Sequence, residues 1–286
     1  MTIKPHRICL FVGARGSGKT HCMNSIICAL AQTFHFGIAM SPTMDTINEW
    51  EKCMPRNWIY ERFSQEKLED MISVQKRALR EGKEPKALFL LLDDCIYDKA
   101  VLKSTAMREL FQNGRHLRIH LSLAVQYLMD MDPALRSNVD YVFACKEKIL
   151  VNRTKLHKYF FGIWGEFKHF DKCFDACTQQ YSTIVLDNTQ KSSSPDECVF
   201  WYRAPAALPD FKVGHSVFWT LSEKHAKSDQ QRRAENAARE AQIKEEADKK
   251  KRKNAPLVVS VQTEQGQWVS STAYTIPNPN APRIQM

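Results

Sequence analysis

Between Phe11 and Ser25 the chain reads FVGARGSGKTHCMNS, and three of its ten glycines, Gly13, Gly16 and Gly18, stand there within six residues. Just upstream, Ile8–Val12 is a short apolar run of the kind that forms a buried strand. Downstream, Met23, Ile26, Ile27 and Leu30 recur at helical spacing. A strand is therefore expected to pass into a helix through a glycine-rich loop. Such a loop turns tightly and aims its N–H groups inward, with no side chains in the way of an oligophosphate. The N-terminus of the helix adds partial positive charge. The pattern is G-x-x-x-x-G-K-[ST], the phosphate-binding P-loop, in its strand–loop–helix setting. Gly13, Ala14, Arg15, Gly16, Ser17, Gly18, Lys19 and Thr20 are the residues expected to hold ATP. Lys19 would reach the β- and γ-phosphates, and the Thr20 hydroxyl would ligate Mg²⁺.

The rest of the chain reads as α/β. Apolar runs at Phe36–Met40, Leu88–Leu92, Ile119–Val125 and Tyr141–Cys145 alternate with helical patterns at Gln65–Arg80, Asp98–Asn113 and Arg153–Phe161. That alternation predicts βαβ units and a mostly parallel sheet flanked by helices. Ser182–Leu186 and Val199–Tyr202 bracket a Ser/Pro-rich turn and are expected to pair near the sheet edge. The organisation changes near residue 221, so a P-loop ATPase domain is expected over 1–220. A charged helical extension over 221–253, with only alanines and Ile243 to bury, would project into solvent or pack weakly. Beyond Asn254 the chain is rich in Pro, Ser, Gln and Asn, and a flexible tail is expected over 254–286.

A second motif, ALFLLLDDC, runs from Ala87 to Cys95. A continuous apolar run suits a central parallel strand, which is covered on both faces. It ends in two carboxylates at the strand's C-terminal end, the edge where ligands bind in open α/β sheets. In the Walker B role Asp93 would hold Mg²⁺ through water, and Asp94 would polarise the attacking water as general base. Capping preferences alone also account for an Asp pair after a buried strand. The run IHLSLAVQYL buries Leu121, Leu123 and Val125 and then presents Gln126. If this strand lies between the P-loop strand and the Walker B strand, Gln126 sits beside the γ-phosphate; otherwise it simply opens the next loop. MSPTMDTINEW, Met40 to Trp50, reads as a loop leading into a core helix.

Composition excludes several classes. No apolar run approaches 18 residues, so no transmembrane helix is expected. The apolar stretch near the N-terminus stops after five residues, too short for a signal peptide. Nine cysteines without a C-x-x-C pair read as free thiols in a reducing intracellular compartment. His169, Cys173 and Cys177 share a helical face, but a structural zinc site needs four closed ligands. A net charge of +9 favours polyanionic partners without identifying one. A guanine-reading Asn/Thr-Lys-x-Asp tetrapeptide does not occur, which argues against a regulatory GTPase.

The order P-loop, LLLDD, NGRHLRIHLSLAVQ and DPALRSNVDYVF resembles the FtsK–HerA class of DNA-pumping ATPases. Within it, the chain is most similar to the poxvirus-like genome-packaging ATPases of large double-stranded DNA viruses. The resemblance covers roughly Ile8 to Phe211, and its discriminating part is the Arg115–Gln126–Arg136 segment. It implies an additional-strand, RecA-like P-loop fold and a ring hexamer that translocates double-stranded DNA. It also implies Gln126 as the γ-phosphate sensor and Arg115, in NGRH, as a finger completing the neighbouring subunit's site. Arg136 is a second candidate, or the partner of a nearby acid. The implied surroundings are a host cytoplasm or viral factory, with capsid or internal-membrane proteins as docking partners. Arg115 follows a helix expected to end near Asn113, on an exposed turn before a strand, where a finger must project and where a solvated arginine also commonly stands. A P-loop kinase or another self-contained nucleotide-binding enzyme is the alternative, and a P-loop kinase usually lacks both the DD strand end and a downstream sensor.

Overall fold

The structure is a computed structural model that describes residues 2–95, 99–126 and 131–225, scattered helical residues between 231 and 249, and 259–262 and 268–271. Its contacts divide the chain into two units, Met1–Ala226 and Lys227–Met286.

The first unit starts with β1 (Ile8–Val12), α1 (Lys19–Leu30), β2 (Phe36–Met40), α2 (Met44–Glu51), β3 (Ile59–Tyr60) and α3 (Gln65–Arg80). Then come β4 (Leu88–Asp93), α4 (Lys99–Lys103), α5 (Thr105–Asn113), β5 (Ile119–Val125), α6 (Pro133–Arg136) and β6 (Tyr141–Ala144). The remainder is α7 (Leu150–Leu156), α8 (Phe167–Cys177), β7 (Ser182–Asp187), α9 (Pro195–Cys198), β8 (Val199–Arg203) and α10 (Ser216–Lys224). The strands form one sheet in the order β3-β2-β4-β5-β1-β6-β7-β8. The first six are parallel; β7 runs antiparallel to β6, and β8, antiparallel to β7, returns to the direction of the first six. The α/β sheet expected from the alternation is thus present, with the late strand pair at its edge.

Both faces are covered, which is why β1 and β4 are apolar at every position but the last of β4. Ile8, Leu10 and Val12 face one core layer with Leu68 and Ile72 of α3, Met107 and Leu110 of α5, and Phe170 and Phe174 of α8. Cys9 and Phe11 face the other, with Met23, Ile26 and Ile27 of α1, Ile47 and Trp50 of α2, and Phe218 of α10. The period-2 alternation of a strand divides its residues between the two layers.

Three expectations change in detail. The single helix expected over Asp98–Asn113 is two, α4 and α5, because Ser104 leaves the helical region and its side chain accepts from Met107 N as a fresh N-cap; Asp98 itself lies outside the described residues. The helix expected over Arg153–Phe161 starts earlier, as α7, and its last turn widens into a π-helical turn, His157–Phe161. The segment after β2, read as a loop, contains α2, whose Thr46, Ile47 and Trp50 are buried. Ile47 and Trp50 fall at helical spacing, but eight residues give too short a window for periodicity to stand out.

In the second unit the described residues between 231 and 249 are helical and exposed, with Lys249 paired to Glu245 at 2.7 Å. Lys250 to Lys253 and Ile243 lie outside the described residues, as does most of 254–286. Within that last stretch β9 (Val259–Gln262) and β10 (Trp268–Ser271) pair antiparallel. All nine cysteines are free, and the Cys173 and Cys177 sulfurs lie 3.8 Å apart. Among the described residues no helix is long and apolar enough to cross a membrane.

A candidate nucleotide-binding site at the sheet edge

The C-terminal ends of β1, β4 and β5 bring the motif residues together. β5 pairs with β1 on one side and β4 on the other, so it is the inserted strand on which the position of Gln126 depended. Gln126 Nε2 donates to Asp94 Oδ2 at 2.9 Å. Thr20 Oγ1 donates to Asp93 Oδ2 at 2.9 Å, linking the end of the P-loop directly to the end of β4. Lys19, Thr20, Asp93, Asp94 and Gln126 therefore share one recess of about 850 Å³, within the size range of small-molecule sites. A second recess of about 870 Å³, lined by Phe36, Trp58, Met71, Val74 and Leu88, contains none of the motif residues.

The loop is shaped as the glycines require. Gly16 and Gly18 have φ of 73° and 91°, in the left-handed region. A Cβ on Gly13 would lie 2.8 Å from both Cys145 Cβ and Ser17 Oγ, so only glycine lets the loop lie against the end of β6. Ala14 N donates to Lys146 O, tying the loop to the same strand end. Lys19 is nearly buried, and its Nζ donates to Gly13 O at 3.0 Å and Ala14 O at 3.1 Å, which holds the ammonium inside the curl of the loop. Arg15 is exposed at its tip.

Asp93 is the most constrained carboxylate of the site. It is 3% exposed, and its Oδ2 also accepts from Thr46 Oγ1 of α2 at 3.0 Å. Burial, then the neighbouring Asp94 carboxylate, push its pKa up, against the pull of the two threonine hydroxyls and Lys19. Asp93 Oδ1 and Asp94 Oδ1 are buried and have no hydrogen-bond partner. Such atoms are uncommon in folded proteins and point to a ligand that supplies the missing bonds. Asp94 has φ of 48°, a conformation aspartate tolerates better than most residues, and this turns its carboxylate towards Gln126.

Two residues of this recess escaped sequence reasoning. Thr46 was hidden because α2 was read as a loop, and a lone threonine carries no spacing signal. Tyr181 stands just before β7 on the other side of the P-loop; Gln180 and Tyr181 are both left-handed, with φ of 49° and 63°. For non-glycine residues that strain costs of order 1–3 kcal/mol each and must be held by the surrounding structure.

The two arginines lie elsewhere. Arg115 precedes β5 and Asp140 precedes β6, both at the N-terminal edge of the parallel strands. The length of β5, roughly 20 Å at its seven residues, separates that edge from the P-loop. Arg115 Nη2 donates to Asp140 Oδ1 at 2.8 Å, yet its side chain remains 60% exposed. Asp140 also accepts from Ile8 N and Arg7. Arg136 is engaged differently from the salt bridge considered for it: its guanidinium lies 4.1 Å over the Tyr159 ring, and Nη1 donates to Met131 O.

The family model described as Poxvirus A32 protein matches residues 1–156, a span that includes the P-loop, both aspartates and Gln126. The chain belongs to the poxvirus A32 family. Beyond poxviruses, it is 32% identical over 206 residues to protein 088R of Invertebrate iridescent virus 3, covering 71% of this chain and 78% of that one. It is 28% identical over 205 residues to protein 075L of Invertebrate iridescent virus 6, covering 71% and 80%. Among solved structures, B204, the DNA-packaging ATPase from Sulfolobus Turreted Icosahedral Virus, superposes with a TM-score of 0.50 at 16% identity, over 71% of this chain and all of that one. At that identity the likeness concerns the fold. Within the A32 family span, the P-loop, the Asp pair and the strand ending in Gln126 follow in the order read from the sequence.

Proposed function

We propose that this A32-family protein is an ATPase that drives double-stranded DNA, packaging a viral genome into its capsid. The observation that carries this reading is the pair of bonds Thr20–Asp93 and Gln126–Asp94, which sets a phosphate loop, two acidic groups and a polar strand tip around one recess. Membership of the A32 family and the fold shared with B204, a DNA-packaging ATPase, support the assignment to genome packaging. The net charge of +9 suits a polyanionic cargo. Nine free thiols agree with a reducing setting such as a host cytoplasm or viral factory.

The site suits Mg²⁺·ATP. Mg²⁺ takes oxygen donors and keeps several waters, needing one or two protein groups beside the phosphates. Thr20 Oγ1 and the unpartnered Asp93 Oδ1 are the groups that would hold it. When bound, the ion would neutralise charge on the β- and γ-phosphoryl oxygens. Lys19 would exchange its two carbonyl bonds for phosphate oxygens. Asp94 would accept the proton of the attacking water, with Gln126 orienting that carboxylate and reporting whether a γ-phosphate is present. Arg115, too far from the P-loop of its own chain, would complete the site of a neighbour in a ring of identical subunits, six by resemblance.

The deciding measurement is phosphate release with and without long duplex DNA, taken across protein concentration. Turnover should rise with DNA and, per subunit, with protein concentration. DNA-independent turnover at every concentration would return the chain to the self-contained enzymes.

Asp93 gives a separate expectation. Its carboxylate has a raised pKa in the fold, so the protonated form is the one folding favours. The stability this contributes is present below the unfolded value and is lost as pH rises through the folded value. Asp93→Asn should therefore melt higher than the wild type near neutral pH without nucleotide, and the difference should vanish in acid. Its Mg²⁺-dependent ATP affinity should fall roughly 10- to 100-fold, the range for groups that act on a metal through an intermediary. Melting curves against pH and calorimetric titration with Mg²⁺·ATP check both halves.

A further inference from the structure

The site described so far holds phosphates and leaves the other end of the nucleotide unassigned. The direction in which that end must lie follows from strand order. Asp94 and Gln126 mark the γ-phosphate side, over β4 and β5, and the P-loop ends β1. A nucleotide anchored there runs away from β5, across β6, towards β7 and β8. Because β7 is antiparallel to β6, its first residues lie at the same edge as the P-loop, and so does the end of β8, with Ser182 opposite Arg203.

On that side the recess is lined by Gly18, His21, Gln180, Tyr181, Arg203 and Ala206. Tyr181 Cδ1 lies 3.3 Å from where a Cβ on Gly18 would stand, so the ring packs against the residue just before Lys19. Tyr181 as a residue is nevertheless 70% exposed, unusual for an aromatic seated on a buried motif. Its backbone and that of Gln180 are left-handed, in a turn closed by Ser182 N donating to Gln179 O at 2.9 Å. Arg203 Nη1 donates to Gln180 Oε1 at 3.2 Å, placing a guanidinium on the rim. His21 Nε2 and Pro205 O are 2.6 Å apart, which ties the strap after β8 to the first turn of α1. A turn that only ended α8 would be relaxed by glycine; here an aromatic is held in a strained conformation with its ring towards the recess.

We infer that Tyr181 is the platform on which the nucleobase stacks, with Arg203 at its rim. This rests on the phosphate reading of the P-loop and adds the base end of the same ligand. Stacking uses the ring face, which every base offers, so it grips without reading base edges. ATP and GTP should therefore depend on Tyr181 to the same degree.

Tripolyphosphate, which has phosphates and no base, separates the two ends in calorimetric titrations of the full chain. Tyr181→Ala is expected to bind ATP and GTP roughly 5- to 150-fold more weakly and tripolyphosphate as the wild type does. Tyr181→Phe should keep wild-type nucleotide affinity. Tyr181→Gly, which relieves the left-handed strain, should melt higher while losing ATP affinity like the alanine variant. ATP affinity within twofold of wild type in both Tyr181→Ala and Tyr181→Gly would overturn the platform and leave Tyr181 as a turn residue. A loss for ATP without a loss for GTP would overturn stacking in favour of edge recognition. Wild-type protein that fails to bind tripolyphosphate would instead remove the phosphate reading, and the platform with it.

Discussion

Arg115→Ala is expected to lower the ATP turnover of the assembled protein by about three to five powers of ten, with ATP affinity changed only a few-fold. A finger stabilises charge that develops on the transferring phosphoryl group, and bound ATP does not yet carry that charge. The position of Arg115 supports the reading in one specific way. It stands at the sheet edge opposite its own P-loop, so any phosphate it reaches belongs to another molecule. Its ion pair with Asp140 offers a competing, purely structural role, and the variant separates the two. Asp140 keeps Arg7 and Ile8 N as partners, so alanine at 115 leaves no buried charge alone. The arginine end of the pair is exposed and the buried Asp140 keeps its other partners, so melting should shift little while turnover collapses. A large melting shift with turnover intact would make Arg115 a structural residue.

Asp94→Asn should cut turnover by roughly two to four powers of ten, since water activation is lost while ground-state contacts persist. The amide keeps an oxygen for Gln126 Nε2, so the recess should retain its shape and its ATP affinity. Near wild-type turnover in this variant would exclude Asp94 as the base. Together the two variants make a sharper test. In a mixed ring, some interfaces pair an intact Asp94 pocket with a neighbour's intact Arg115, and partial activity should return from two inactive proteins. A self-contained site cannot recover, because each subunit carries its own lesion. No recovery at any ratio, with mixed oligomers confirmed by mass, would remove the trans role of Arg115.

The features legible in the sequence are those whose physics is local. A P-loop is contiguous, and its glycines are required by backbone geometry within a few residues, so Gly13 to Thr20 could be read without knowing what surrounds them. Strands buried on both faces are apolar at nearly every position, so β1, β4 and β5 stood out, and the carboxylates closing β4 marked the ligand edge. The ordinary right-handed connection of parallel strands then left few places for β5.

Other residues acquire their meaning only across the fold. Thr46 matters because α2 carries it to Asp93, 47 positions away. Tyr181 matters because an antiparallel strand returns its first residue to the P-loop edge, and nothing in QQYS announces two left-handed residues. Whether Gln126 was a sensor or a loop residue rested on which strands flank β5, a hydrogen-bonding choice between segments far apart in the chain. A phosphate-binding loop and an acidic strand end follow from local residue order alone, because each is a short segment with its own steric and solvation demands. That Thr20, Thr46 and Asp93 meet, that Gln126 faces Asp94, and that Arg115 lies at the far edge depend on the assembled sheet, because strand order and orientation are set by the burial of whole faces.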